Sequence, residues 1–444
     1  MSIGSLKITA TAGLLAGIAV TFAAGNALAV PSYSRQTGLS CDTCHTVPPQ
    51  LTPFGRFFKM NGYVLSSKNL SPQAPGKTPK ESIGQFPPIS AMIKISDTIL
   101  NKAEPGTQNG SVALPQALSL YYAGRIAPHM GSFIQMTYDA ESDHFGLDMA
   151  DIRYANTAKL WDSSVVWGIS LNNMPTFEDP WNSTPAEGFP YSASDSAPGP
   201  DAAPVVMTLM GNVAGVSAYA WFNNSLYADA GVYRTSELGV SQPLDSSATQ
   251  VISGAAPYWR LAWEHDWSTS GDYTNSWEIG TYGMSAHLFP GGGLPLSGAT
   301  DNYLDTAIDS QYQLLFPNHS SLAVHAAYIH EKQTLDASAP TQPDNHLNTF
   351  SIDAQYYWNE RFGPSIGYFN TTGNANPAIY GSRTAKPDSS GWILQWTYLP
   401  AQNVQLGAQY TIYDKFNGSS SNYDGSGRNA SDNDALYLFA WILF

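Results

Sequence analysis

The sequence predicts an all-β protein: an antiparallel transmembrane β-barrel of about sixteen strands, preceded by a small amino-terminal segment of different character. Three observations predict it. Only 12% of the 444 residues are charged and the formal net charge is −15, while Tyr (25), Trp (12) and Gly (38) are abundant. A soluble acidic chain usually carries far more charge, whereas a membrane barrel carries aromatic girdles at its two interfaces. Segments of strict apolar–polar alternation recur along the chain, and the connections between them alternate short and long. A barrel with short turns on one rim and long loops on the other has that rhythm, and a soluble β-sandwich has no reason for it.

Residues 1–29 read as a secretory signal. Lys7 gives a thin positive start, "ITATAGLLAGIAVTFAAG" (8–25) is apolar, and "ALA" (27–29) matches the small-x-small cleavage rule, so cleavage is expected near Ala29. A retained anchor is the alternative. No later stretch has the ~20 apolar residues of a spanning helix. An exported chain without a helical membrane domain follows. The acidic balance argues against nucleic acid as a partner and favours cations nearby.

The small segment spans 30–67, too short for a large core of its own. It holds both cysteines of the chain, in "SCDTCHTVPP" (40–49). Cys41-x-x-Cys44-His45 is the attachment signature of c-type haem. Each thiol adds to one vinyl group as a thioether, and two intervening residues match the vinyl separation on one ring edge. His45 then falls under the iron as the proximal axial ligand. The same spacing admits a redox-active dithiol, which normally sits in a thioredoxin-like βαβ unit. It also admits zinc, which needs further soft ligands nearby. A plain disulfide fits the spacing poorly. The sixth iron position is open to Met60, in "FGRFFKMNGY", with Met92 and His129 as competitors, or to no protein ligand. One covalent haem c per chain is therefore expected.

Residues 68–88, "KNLSPQAPGKTPKESIGQFPP", are rich in Pro, Ser and Gly and read as a linker. The barrel occupies 89–444, with strands beginning near 89, 115, 132, 145, 164, 213, 225, 257, 275, 303, 320, 347, 362, 391, 403 and 435. In "YWRLAWEHDW" (258–267), Trp259, Leu261, Trp263 and Trp267 alternate with Arg260, Glu264 and Asp266. In "NVQLGAQYTIY" (403–413), Val404, Leu406, Ala408, Tyr410 and Ile412 alternate with Gln405, Gly407, Gln409 and Thr411. This is the pattern of a wall with lipid outside and a polar lumen inside. Short connections lie at 128–131, 223–225, 317–320, 359–361 and 400–403. Long ones surround 172–212, 235–256, 288–302, 332–346, 371–390 and 413–433. The chain ends on "ALYLFAWILF", whose terminal Phe444 resembles the C-terminal signal of bacterial outer-membrane barrels. The opposite face of that last strand, Tyr437, Phe439, Trp441 and Leu443, is apolar too. A wet lumen leaves such a face unexplained, so residues 30–67 are expected to fold into the lumen and pack there. Girdle positions near the rims are the alternative.

The stretch "PSYSRQTGLSCDTCHTVPPQLTPFGRFFKMNGY" (31–63), with its "RQTG" lead and "LTPFGR" follow-on, resembles the head of the fused cytochrome–porins of the bacterial outer membrane. The signal, the barrel behind the segment and the overall length are also similar, and "DPWNSTPAEGFPY" (179–191) resembles a loop of that family. Its best-described members oxidise ferrous iron at the cell surface. The resemblance implies that Cys41, Cys44 and His45 hold haem in a monohaem cytochrome c segment set in outer-membrane lipid. It further implies that extracellular Fe(II) is the electron donor and a periplasmic c-type cytochrome the acceptor, which would make the chain an iron(II) oxidase. It supplies no distal ligand. Hard oxygen ligands with one imidazole suit transient Fe(II) capture. Asp139, Glu141, Asp143, His144 and Asp148 form one such group, and Glu178 and Asp179, just before Trp181, form another. Two rival readings stand beside this one: an electron-transfer barrel with a non-iron donor, and a diffusion porin gated by a haem-bearing plug.

Overall fold

The computed structural model describes residues 31–65, 88–139, 143–236, 250–269, 272–290 and 298–444. The signal at 1–29 and the linker, apart from Pro88, lie outside the described residues. The strands are β1 (Ile89–Leu100), β2 (Ser111–Ala127), β3 (Met130–Asp139), β4 (His144–Leu160), β5 (Ser163–Asn172), β6 (Val213–Phe222), β7 (Leu226–Thr235), β8 (Gln250–Ile252), β9 (Ala256–Thr269), β10 (Tyr273–Pro290), β11 (Asp301–Leu315), β12 (Ser321–Leu335), β13 (Asp344–Tyr357), β14 (Phe362–Gly373), β15 (Ser389–Ala401), β16 (Val404–Lys415) and β17 (Ala435–Leu443).

Sixteen of these form a closed antiparallel barrel. Each pairs with its neighbour in sequence, β7 pairs directly with β9, and β17 returns to β1 through Met92↔Leu443 to Leu100↔Ala435. Closure removes the edges that an open sheet would leave unpaired. The short β8 is additional: it extends the sheet beside β10 above the end of β9. Strand starts agree closely with the sequence reading, except that β2 begins at Ser111, before Pro115, which lies within the strand.

The wall alternates as expected. On β11, Asp305, Asp309, Gln311 and Gln313 are buried inside, while Leu304 and Ile308 are exposed outside. On β9, Arg260 and Glu264 are buried while Trp259, Leu261 and Trp263 are exposed. Trp358, Trp396 and Tyr398 extend the exposed aromatic ring near the rim of short turns. Such an outer surface suits hydrocarbon with interfacial aromatics. The rim holding Ile89 and Leu443 carries the short connections, and the opposite rim the long ones.

The amino-terminal segment forms three short helices: α1 (Pro31–Thr37), α2 (Cys41–Cys44) and α3 (Pro53–Met60). Its partners lie all round the circumference, so it sits in the lumen. Ser32 donates to the Ala123 carbonyl on β2, Tyr63 to Asp151 on β4, and Arg56 to Ser276 on β10 and Gln313 on β11. The seam between β1 and β17 is covered by the amino-terminal segment, through Tyr33, at Trp441 and Leu443, but by the long loop, through Ser192, at Tyr437. Tyr437 and Phe439 are buried, and Trp441 and Leu443 join Tyr33, Met92, Tyr121 and Phe133 in one apolar cluster.

The sequence reading did not foresee the behaviour of the longest loop, 173–212. It folds into the lumen rather than standing above the rim. Trp181 is fully buried edge-on to Trp221 and Tyr227, and α4 (Val205–Thr208) is pinned through the Val205 and Val206 N–H groups to Glu331 and Asp305.

Candidate functional site

Cys41, Cys44 and His45 lie on one compact turn. The His45 N–H donates to the Cys41 carbonyl at 2.9 Å, which closes the single turn of α2. The chain then reverses, so that Thr52 N–H donates to the Cys44 carbonyl at 2.9 Å and Thr52 Oγ1 to the Thr43 carbonyl at 2.7 Å. Thr52 also caps α3, accepting from Gly55 N–H at 3.1 Å, with Pro53 at the first helical position. Both are strong helix-start residues. The motif "LTP" thus starts the helix that backs the cysteine turn.

Gly55 is required by that backing. A Cβ there would overlap the Cys44 carbonyl oxygen. Gly55→Ala is therefore expected to push α3 off the turn, at about 1–3 kcal/mol for overpacking. A thermal melt followed by near-ultraviolet circular dichroism should show the lower transition. An unchanged transition would mean that the turn gives way without cost.

The His45 ring has a defined orientation. Nδ1 lies 3.2 Å from the Pro49 carbonyl oxygen. A carbonyl only accepts, so Nδ1 carries the hydrogen and Nε2 keeps its lone pair. This is the arrangement that orients metal-ligating imidazoles. Burial lowers the His45 pKa to about 4, the backbone carbonyls drawing it partly back, so the ring is neutral at neutral pH. Burial and then Asp42 push Cys41 up to about 12 and Cys44 up to about 11. Dithiol redox sites depend on a depressed thiol pKa, and these thiols are shifted the other way. Among the described residues no third His, Cys, Asp or Glu joins them as a metal cluster. Pro49 is the partner that sequence reasoning missed. Its signal was "VPP" just behind His45, within reach of a turn.

Cys44 and His45 face a cavity of about 430 Å³ between the segment and the wall. Tyr33, Phe58 and Tyr63 form one side, with ring centroids 5.2 to 6.1 Å apart. Met92, Phe133 and Trp441 contribute from the barrel, and Phe177 and Tyr191 from the inward loop. Lys59 fastens segment to loop, donating to Glu187 at 2.6 Å and to the Asp179 carbonyl at 3.1 Å. The cavity reaches Gln402 and Asn403, in the connection between β15 and β16 on the short-turn rim.

The other candidates are scattered. Met60 is fully buried, but its sulfur accepts from Arg153 at 3.6 Å, in a cluster with Val166, Trp181 and Tyr219, and it does not line the cavity of His45. Spacing from His45 suggested otherwise; the helix α3 turns that face toward β4 and β5 instead. Met92 does line the cavity, its sulfur accepting from Tyr121 at 3.5 Å. His129 sits in the turn between β2 and β3, away from the cavity. Glu178 and Asp179 are not solvated loop carboxylates. Both are fully buried, Glu178 paired with Arg153 at 3.0 Å and Asp179 with Arg260 at 3.3 Å. Asp148 is bonded to Gln135 and Thr137 within the lumen, Asp143 to Tyr138, and His144 begins the exposed end of β4. Glu141 lies outside the described residues, as does the side chain of Asp139.

No family model matches the chain, and no curated protein matches it. Solved porin structures resemble it in fold. OmpF of Salmonella typhi, in complex with daunomycin, is 14% identical, with 80% of this chain and 97% of that one covered and a TM-score of 0.46. The outer-membrane channel DcaP of Acinetobacter baumannii is 10% identical over 80% and 96%, with a TM-score of 0.44. The anion-selective porin of Comamonas acidovorans is 10% identical over 80% and 98%, with a TM-score of 0.43. The barrel assignment itself rests on the strand pairing and closure of this chain.

Proposed function

We propose that the chain is an outer-membrane electron-transfer barrel with one covalent haem c on Cys41 and Cys44 and His45 as proximal ligand. In this reading it takes electrons from extracellular Fe(II) and passes them to a periplasmic c-type cytochrome. The observation that carries the haem is the Cys41–His45 turn. Cys44 and a neutral imidazole whose Nδ1 is occupied by Pro49 line an aromatic-walled cavity, with the buried Cys41 one helical turn behind them. The apolar belt on a closed barrel supports the outer membrane as its location.

A haem held there supplies one-electron chemistry. The residues around it bind, orient and exclude water. Cys41 and Cys44 anchor, the Pro49 carbonyl fixes the ring of His45, and Tyr33, Phe58, Tyr63, Phe133 and Phe177 keep the surroundings dry. Met92, which lines the same cavity as His45, would be the thioether available to a haem there, whereas Met60 does not line it. With the short turns on the periplasmic side, as in bacterial outer-membrane barrels, the cavity's reach to Gln402 and Asn403 supports an electron exit toward the periplasm. The family resemblance, rather than any group in the lumen, supports Fe(II) as donor.

The test is peroxidase staining of the denatured chain. Staining is expected in the native sequence and should vanish in Cys41→Ala with Cys44→Ala. Persistent staining in that double variant would overturn covalent attachment. Rapid reduction by Fe(II) on intact cells would separate the iron reading from a non-iron donor.

A further inference from the structure

The outer face of the wall changes character abruptly along β12 and β13. Leading away from the short-turn rim, the outward positions of β12 are Val324, Ala326 and Tyr328, and then His330 and Lys332. On β13, Ile352 and Phe350 are followed by Asn348 and His346. The ladder sets the two breaks side by side, with Tyr328 opposite Phe350 and His330 opposite Asn348. The next strand continues the border, where Tyr368 meets Phe350 with ring centroids 6.5 Å apart. Aromatic side chains at such a border mark the membrane–water interface of a barrel. The polar band just beyond them therefore lies at headgroup height on the long-loop side.

His330, Lys332 and His346 are all exposed there. Lys332 is the cross-strand partner of His346, and His330 of Asn348. Directly opposed side chains start about 5 Å apart, so the four converge on one patch, with the two imidazole centroids 6.3 Å apart. The patch is organised in advance. Asn348 Oδ1 accepts from the Tyr328 hydroxyl at 2.8 Å and from His330 Nδ1 at 2.8 Å. The oxygen is thus held twice, while the two N–H donors of the same amide remain for another acceptor. Among the described residues Lys332 has no carboxylate partner, and neither ring nitrogen of His346 has a hydrogen-bond partner. Asp344 shares the face but lies one pair nearer the loop, opposite Thr334. A lysine is costly on the lipid side of a barrel at mid-depth and nearly free of cost at the interface. Lys332 therefore belongs among headgroups rather than acyl chains.

We propose that Lys332, His346 and Asn348 form a binding site for the phosphate monoester headgroup of an outer-leaflet lipid. Lys332 supplies the compact positive charge that phosphate takes up. His346 and the Asn348 amide add N–H donors, and His330 and Tyr328 are positioning residues that fix the amide. The occupant is a lipid rather than a soluble anion because the donors continue the apolar belt on the same outward face. A molecule whose phosphate sits at Lys332 has its acyl chains alongside Ala326 and Ile352. This site is independent of the haem and of the electron donor.

Native mass spectrometry of the full-length protein in detergent tests the site. Titrated with diphosphorylated lipid A, the unaltered protein should retain the lipid, whereas lipid A stripped of its phosphates should be lost. Lys332→Gln combined with His346→Gln should weaken retention about 10-fold or more, as loss of charge-assisted hydrogen bonds does. Asn348→Leu should weaken it by a smaller factor. All three positions lie on the outer surface, so each variant should keep the heat-modifiable gel migration of a folded barrel. Lys159→Gln, an exposed cation at the short-turn end of β4, should change nothing. No lipid A retained by the unaltered protein, equal retention of the phosphate-free lipid, or full retention by the double variant overturns the site. Displacement of lipid A by an equal concentration of inorganic phosphate overturns the lipid as its occupant.

Discussion

Arg56→Ala is expected to release the amino-terminal segment from the lumen. Arg56 is fully buried on α3 and holds three elements of the far wall at once: Glu264 on β9 at 2.6 Å, Ser276 on β10 at 2.7 Å and Gln313 on β11 at 3.0 Å. Removing one partner of a buried ion pair leaves the other charge uncompensated, at about 3–5 kcal/mol. The barrel does not depend on Arg56 for closure, so the loss falls on docking of the segment. Planar-bilayer conductance should be low in the native protein, where segment and loop fill the lumen, and should rise in Arg56→Ala. Protease added from the short-turn side should then cleave within 31–65. Arg56→Met with Glu264→Gln removes both charges together and should recover much of the docking. Unchanged conductance and protease resistance in Arg56→Ala would mean that the aromatic contacts of Tyr33, Phe58 and Tyr63 hold the segment unaided.

The barrel was legible because its signals are local. Alternation has a period of two, and each strand reports its own two faces. Closure between β1 and β17 added the one long-range fact, and even this left a trace in the doubly apolar β17. The cysteine–histidine turn was legible for the same reason, since Cys41, Cys44 and His45 are adjacent in sequence. The errors arose where several distant segments converge. Glu178 and Asp179 look like any acidic loop, and nothing near them announces that Arg153 and Arg260, on β4 and β9, will draw the loop inward. Met60 has reasonable spacing from His45, but the roll of α3 is set by Arg56 and Tyr63 against the wall. Lys332 and His346 were invisible as a pair until the register of β12 and β13 brought them opposite each other.

Asp179→Ala should collapse the inward loop, with an effect at least as large as that of Arg56→Ala. Asp179 organises the loop by accepting from the N–H groups of Trp181 at 2.8 Å, Ser183 at 3.0 Å and Thr184 at 2.9 Å, as well as from Arg260. Each buried donor left unsatisfied costs about 1–3 kcal/mol. The alanine variant strands three of them and removes a counter-charge from Arg260, which keeps Asp309 and Glu278. Trp181 then loses the turn that seats it against Trp221 and Tyr227, and Lys59 loses its carbonyl acceptor. Hydrogen exchange across 177–184 should accelerate by orders of magnitude, and conductance should rise because the lumen loses part of its filling. Asp179→Asn keeps one accepting oxygen and should fall between. The pH dependence has a definite sign. Burial alone would raise the carboxyl, but Arg260 and the backbone donors outweigh it and hold its pKa below the usual range. A carboxyl depressed in the folded state contributes fully above its unfolded value, about 3.9, and the contribution is lost as the pH falls through the lower folded value. Acidification from pH 7 to about 4 should therefore leave exchange in 177–184 protected in the native protein. Loss of protection already at pH 5 to 6 would show that some other group carries the loop.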